Sequence, residues 1–106
     1  HGDIWYGNLL VDEAGSLHAI IDNDRSFFGD PEFDLMLPWM PAEPFLEGYG
    51  GALDMSDGAV LRRKFYRFLL LLEDTYILKA EYRDPEGYLR SKAEVVSCLA
   101  ELEKNT

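Results

Sequence analysis

The stretch HGDIWYGNLLVDEAGSLHAIID, residues 1–22, decides how the rest of the chain is read. Two short apolar runs, Leu9-Leu10-Val11 and Leu17–Asp22, flank the acidic connector Asp12-Glu13-Ala14-Gly15-Ser16. That is the pattern of a β-hairpin with a turn of moderate length. Asn8 then stands just before the first strand and Asp22 at the end of the second. Antiparallel pairing returns the end of one strand to the start of the other. Residues distant in sequence therefore become neighbours, and Asp3, Asn8 and Asp22 converge on one place.

A carboxylate, an amide oxygen and a second carboxylate held together suit phosphoryl transfer. Such chemistry needs one group to orient the attacking hydroxyl and hard oxygen ligands for Mg²⁺ on the nucleotide phosphates. The spacing His1-x-Asp3-x-x-x-x-Asn8 has the form of a kinase catalytic loop. Taken alone it also occurs as an ordinary loop; Asp22 after an apolar strand is what gives it weight. On this reading Asp3 is the catalytic base or hydroxyl-orienting group, and Asn8 and Asp22 are the metal ligands. His1 heads the loop as a structural residue. Asp34, in Gly29-Asp30-Pro31-Glu32-Phe33-Asp34-Leu35, reads either as an acceptor for backbone N–H groups of the loop or as a plain helix cap. Asp24 and Arg25 are candidates for supporting Asp22 or for pairing with each other. Trp5, Tyr6, Phe27 and Phe28 suit the core or the floor of a substrate pocket.

Composition narrows the partners. Twenty acids against ten bases give a net charge of −10 over 106 residues. That argues against nucleic acid and against an anionic membrane, which need clustered Lys and Arg. It fits a cationic or neutral small molecule, and equally a well-solvated surface. Cys98 is the single cysteine, which rules out an internal disulfide and points to a reducing, cytoplasmic compartment. No apolar run approaches the ~18 residues needed to span a bilayer.

Beyond the hairpin the signals are helical. Asp30 caps a short helix opened by Pro31 and carrying Phe33, Leu35, Met36 and Leu37. Pro38, Pro41 and Pro44 break the following stretch, Phe45–Tyr49 allows another turn, and Gly48, Gly50 and Gly51 end it. A long helix starts at Ser56 or Asp57, with Val60, Leu61, Phe65, Phe68, Leu69, Leu72 and Tyr76 on its core face. Its Arg62, Arg63, Lys64, Arg67 and Glu73 are expected largely on the other side. A last helix from Asp84-Pro85 presents Leu89, Ala93, Val96 and Ala100, flanked by Leu99 and Leu102, with Lys92, Glu94, Glu101 and Glu103 solvated. The expected fold class is α+β, mostly α: a catalytic loop, a β-hairpin and a helical remainder in one domain. Residues 1–35 form its catalytic and metal-binding segment and residues 36–106 its helical subdomain.

Three blocks carry a resemblance. His1-Gly2-Asp3-Ile4-Trp5-Tyr6-Gly7-Asn8, Ile20-Ile21-Asp22 and Phe28-Gly29-Asp30-Pro31-Glu32-Phe33-Asp34-Leu35 resemble the aminoglycoside phosphotransferase and fructosamine (ketosamine) kinase superfamily. Trp5 and the Phe28–Leu35 block, with Met36-Leu37-Pro38 behind it, lean toward the fructosamine kinase branch. Asn23-Asp24-Arg25 departs from the Pro-Ala that usually follows the metal Asp there. The resemblance implies a protein-kinase-like C-terminal lobe, ATP and Mg²⁺ as cofactors, and phosphorylation of a hydroxyl on a sugar-like or amine-bearing small molecule. It implies Asp3 as the catalytic Asp and Asn8 and Asp22 as metal ligands. Glu43 and Glu47 become candidate contacts for a cationic substrate in a pocket between the loop and the helices after Asp30. Alternatives are an aminoglycoside- or choline-type phosphotransferase and a non-catalytic binding module of the same fold. The Gly-rich phosphate loop and its lysine are missing upstream, so the chain reads as a fragment without its N-terminal lobe. It is expected to be inactive, or nearly so, alone, and its surface facing the missing lobe is expected to self-associate.

Overall fold

Two short apolar runs and a turn that opens on Asp12 build the hairpin. In the computed structural model, which describes residues 1–39, 42–50 and 53–105, strand β1 (Leu9–Val11) pairs antiparallel with β2 (Leu17–Ile20). Leu9 faces Ile20 and Leu10 faces Ala19, and a bulge between Leu10 and Val11 brings Val11 opposite Leu17. The Asp12 carboxylate closes the turn by accepting the amides of Ala14 at 3.0 Å and Ser16 at 2.8 Å. Gly15, at φ 83°, takes the left-handed position that a side chain would resist. Pairing runs one residue past the strands, because the Ile21 amide donates to the Asn8 carbonyl at 2.9 Å.

Asp30 and Pro31 begin a helical segment as expected, but it is a 3₁₀ helix, Pro31–Met36. The Asp30 carboxylate caps it by accepting the Glu32 amide at 2.9 Å. Helix α1 (Ala42–Tyr49) follows, with Pro44 tolerated in its first turn and Gly50 (φ 115°) ending it. Pro41 and Gly51 lie outside the described residues.

Ser56 caps α2 (Asp57–Ala80), and Asp84 with Pro85 opens α3 (Pro85–Lys104), both where the sequence signals stand. The core face of each helix differs from expectation. In α2 the buried residues are Ala59, Arg63, Leu70, Leu71 and Ile77, while Phe65, Leu69, Leu72 and Tyr76 are exposed. In α3 Gly87, Ser91 and Leu102 are buried, while Leu89 and Val96 are exposed. The apolar residues of α2 run round most of its circumference, so periodicity alone offers more than one face. A polar node on the packed face joins the two helices. Ser91, buried, donates to Asp74 at 2.8 Å, and its oxygen lies 2.8 Å from the Thr75 hydroxyl, whose single proton is shared between Ser91 and the Leu71 carbonyl at 2.7 Å. Small side chains at Gly87 and Ser91 allow the helices to approach there, which long apolar ones would not.

The architecture is thus mostly helical with one two-stranded antiparallel hairpin. The chain divides into two compact units, His1–Ala52 and Leu53–Thr106. The first carries the hairpin and the acidic loop, the second the α2–α3 pair. Among the described residues no helix is long and apolar enough to cross a membrane.

Candidate functional site

The loop preceding the hairpin is held by hydrogen bonds at its His1-Gly2-Asp3 end and at Asn8. Asp34 accepts the α-nitrogen of His1 and the amide of Gly2, each at 2.7 Å. The acceptor role is therefore the one it fills, and charge-assisted bonds of this length are the strong kind. Ser26 donates its hydroxyl to the His1 carbonyl at 3.1 Å. The His1 ring bridges the loop to the hairpin: Nδ1 accepts the Asp3 amide at 3.3 Å and Nε2 lies 3.0 Å from the Ile21 carbonyl. Both contacts are satisfied only when the proton sits on Nε2, so the neutral ring donates to Ile21. His1 thus links the loop to the hairpin through its ring.

Gly2 sits at φ 84°, and a Cβ there would stand 2.6 Å from the Arg25 carbonyl oxygen. Backbone strain and a clash with main chain therefore act together. We expect Gly2→Ala to destabilise the first unit by roughly 2–4 kcal/mol, from the cost of a left-handed residue plus the shift of the Arg25 peptide. Urea unfolding of the variant beside the parent chain measures it.

Asn8 is buried at 5% exposure, and its amide nitrogen donates to the Asp3 carbonyl at 2.9 Å and to Asp3 Oδ2 at 3.3 Å. With the nitrogen committed to Asp3, Oδ1 is the atom of this side chain left for a cation. Asp22 follows the hairpin at φ 60°, a left-handed conformation that aspartate adopts more readily than most residues. Its side chain is exposed. The charge of Asp24 holds the Asp22 carboxyl above its ordinary range; slight desolvation, a hydrogen bond with Asp24 and the charge of Asp3 add to this, and Arg25 opposes it. The charges of Asp24 and Asp3 thus reach Asp22, and the hairpin pairing sets the backbones of Asn8 and Ile21 side by side.

That raised carboxyl has a pH signature. Ionising Asp22 is harder in the folded chain than in the unfolded one, so its folded state is favoured at low pH and loses stability as pH rises through the shifted value. Asp22→Asn is therefore expected to match the parent below the ordinary value of 3.8 and to be the more stable of the two at neutral pH. Thermal melts of both at pH 3 and pH 7 read the difference.

Other candidates lie elsewhere. Trp5, Tyr6, Phe27 and Phe28 are all exposed, so none joins the core. The Trp5 ring covers Gly7, and the Phe27 ring covers Gly29 while meeting Phe33 edge-on at 5.1 Å. Glu43 and Glu47 are exposed on α1, one turn apart, and among the described residues neither bonds to the loop. Sequence reasoning missed Ser26 and the close approach of Arg25 to Gly2. The turn-rich composition of residues 23–31 gave no sign that this segment lies against the loop.

The residues present suit a hard dication. Asn8 Oδ1 and the Asp22 carboxylate are oxygen donors, and the mutual repulsion of the acids is what a bound cation would relieve. Two protein ligands suffice for Mg²⁺, which fills its remaining positions with waters and phosphate oxygens.

The family model described as fructosamine kinase matches residues 1–92. A probable ketoamine kinase of Staphylococcus aureus (strain NCTC 8325 / PS 47) is 30% identical over 95 residues, covering 87% of this chain and 32% of that protein. The chain therefore spans about a third of the length of the curated relative it matches. No solved structure gives a significant match.

Proposed function

Since the chain belongs to the fructosamine kinase family, we propose that it is the acid-bearing part of a protein-kinase-like C-terminal lobe. Joined to the nucleotide-binding lobe, it serves transfer of the ATP γ-phosphoryl group to a hydroxyl of a ketosamine-type small molecule. The observation that carries this reading is the bonding of Asn8 to Asp3 beside Asp22, on a loop held by Asp34 and His1. Asp3 accepts the hydrogen bond of the substrate hydroxyl and takes its proton as the bond to phosphorus forms; positioning matters more here than basicity. Asn8 and Asp22 hold Mg²⁺, which when bound neutralises charge on the transferring group. His1 and Asp34 keep the Asp3 backbone still, so that the carboxylate meets the hydroxyl without reorganisation.

The acidic surface and the exposed rings of Trp5, Tyr6 and Phe28 suit a substrate combining an amine with the carbon face of a sugar. Glu43 and Glu47 are further amine contacts on this reading. The chain spans about a third of the relative it matches, and by itself it is expected to be inactive or nearly so. The lone cysteine and the use of ATP suit a reducing, cytoplasmic setting.

Metal binding by this chain tests the site directly. Mn²⁺, used as a paramagnetic stand-in for Mg²⁺, should broaden the NMR resonances of Asn8, Asp22 and their neighbours. Asn8→Ala should remove that response, and Mg²⁺ should compete it away. Broadening spread evenly over the acidic surface would refute the assignment.

A further inference from the structure

Residues 21–26 leave the hairpin, pass through Asp22 and return to the loop, and both limbs of this segment end on His1. At the first limb the Ile21 carbonyl lies 3.0 Å from His1 Nε2. At the second, Ser26 donates its hydroxyl to the His1 carbonyl at 3.1 Å. Between them the Ser26 amide turns back to the Asn23 carbonyl at 3.0 Å, closing a tight turn within the segment. The returning limb also lies directly on Gly2, where a Cβ would stand 2.6 Å from the Arg25 carbonyl oxygen and 3.2 Å from Arg25 Cβ. Asp22 therefore sits in a closed bridge that stands on His1 and Gly2, next to Asp3.

Asp22 needs such a bridge. At φ 60° it occupies the left-handed region, which a residue with a side chain keeps where its surroundings over-determine it. Its Ile21 side is fixed twice, by the His1 ring and by the bond of the Ile21 amide to the Asn8 carbonyl at 2.9 Å. On its far side the Ser26 hydroxyl carries the tie to the loop. Without that tie, residues 23–26 can swing away from His1, and the Asp22 carboxylate loses its bearing on Asn8 and Asp3. A ligand that points correctly for only part of the time binds in proportion to that fraction. Phosphoryl transfer is also sensitive to misplacements of about 1 Å between its groups.

We propose, resting on the phosphoryl-transfer reading above, that Ser26 is a positioning residue: it clips residues 23–26 to the His1 carbonyl and so aims Asp22 at the metal. Mn²⁺ titration of the chain, followed by NMR broadening at Asn8 and Asp22, compares the parent with Ser26→Ala and Ser26→Thr. Ser26→Ala should bind roughly 3–10-fold more weakly, the factor that one neutral hydrogen bond supplies. Ser26→Thr, which keeps the hydroxyl, should bind like the parent. Circular dichroism establishes that the variants are folded at the titration temperature, so that affinity reads the site and not stability. Hydrogen exchange at the Ser26 amide should quicken in Ser26→Ala, and by more than at the Ile21 amide of the hairpin. Should Ser26→Ala not fold, the parent carries the test: Mn²⁺ held by Asp22 should slow exchange at the Ser26 amide, because the coupling is reciprocal, and no slowing would overturn the proposal. Localised broadening in the parent with undiminished affinity in Ser26→Ala would overturn the clip and leave the metal site standing. Equal quickening at the two amides would mark a general loosening and overturn the clip as well. No localised broadening in the parent would overturn the metal site itself, and the role of Ser26 with it.

Discussion

Asp3→Asn should cut phosphoryl transfer by roughly 10²–10⁴-fold in a protein that includes the nucleotide-binding lobe, the range general-base removal produces. The substitution keeps the shape of the side chain and an oxygen that can still accept from Asn8, whose amide nitrogen lies 3.3 Å from Oδ2. What it removes is the ability to take a proton from the attacking hydroxyl. The KM for ATP should stay near that of the parent, since the proposed ligands of the nucleotide-bound metal are Asn8 and Asp22. A fall in kcat with KM for ATP unchanged is the signature, read from steady-state kinetics with ATP varied. An equal rise in KM would place Asp3 among the metal ligands instead.

Asp34→Ala should weaken the fold of the first unit as much as Gly2→Ala does. Its carboxylate accepts two N–H groups at 2.7 Å with a side chain only 18% exposed, and nothing else in the described loop replaces it. Removing it strands both donors and frees residues His1 and Gly2 from the 3₁₀ segment. We expect a loss of about 2–4 kcal/mol, taking charge-assisted bonds at the upper end of the hydrogen-bond range and discounting for partial exposure. Asp34→Asn, which keeps one acceptor oxygen, should fall between the two. Denaturant midpoints give the stability, and hydrogen exchange at the Gly2 and Asp3 amides shows whether the loop itself has loosened. Unchanged exchange at those amides would mean that His1 and Ser26 hold the loop without Asp34.

The elements that could be read from sequence were those with local chemical causes. Asp12 and Gly15 specify the hairpin turn, Ser56 and Asp84 with Pro85 specify helix starts, and each acts within a few residues of itself. Of the candidate site, the pairing that sets Asn8 beside Ile21 was legible for a related reason, because a hairpin converts separation in sequence into proximity by a fixed rule. The helix faces were not. In α2 apolar residues surround the axis, so which stripe is buried depends on what packs against it, and Arg63 ends up buried where a solvent position was expected. In α3 the packed face is set by Ser91 and its bonds to Asp74 and Thr75, a tertiary fact that hydrophobic periodicity cannot announce. The contact of residues 25 and 26 with the His1-Gly2 backbone is tertiary in the same sense.

Asp3, Asn8 and Asp22 are proposed to converge and to serve phosphoryl transfer to a sugar-like amine. Turnover of Mg²⁺-ATP by a protein extended to include the nucleotide-binding lobe, with ketosamines, aminoglycosides and simple amino-alcohols as acceptors, tests that most directly. The predicted result is ketosamine-dependent ADP release, with ³¹P NMR showing a new phosphate ester on a ketosamine hydroxyl, and no product from Asp3→Asn. An extended protein that folds yet neither binds Mg²⁺-ATP nor phosphorylates any acceptor would contradict it.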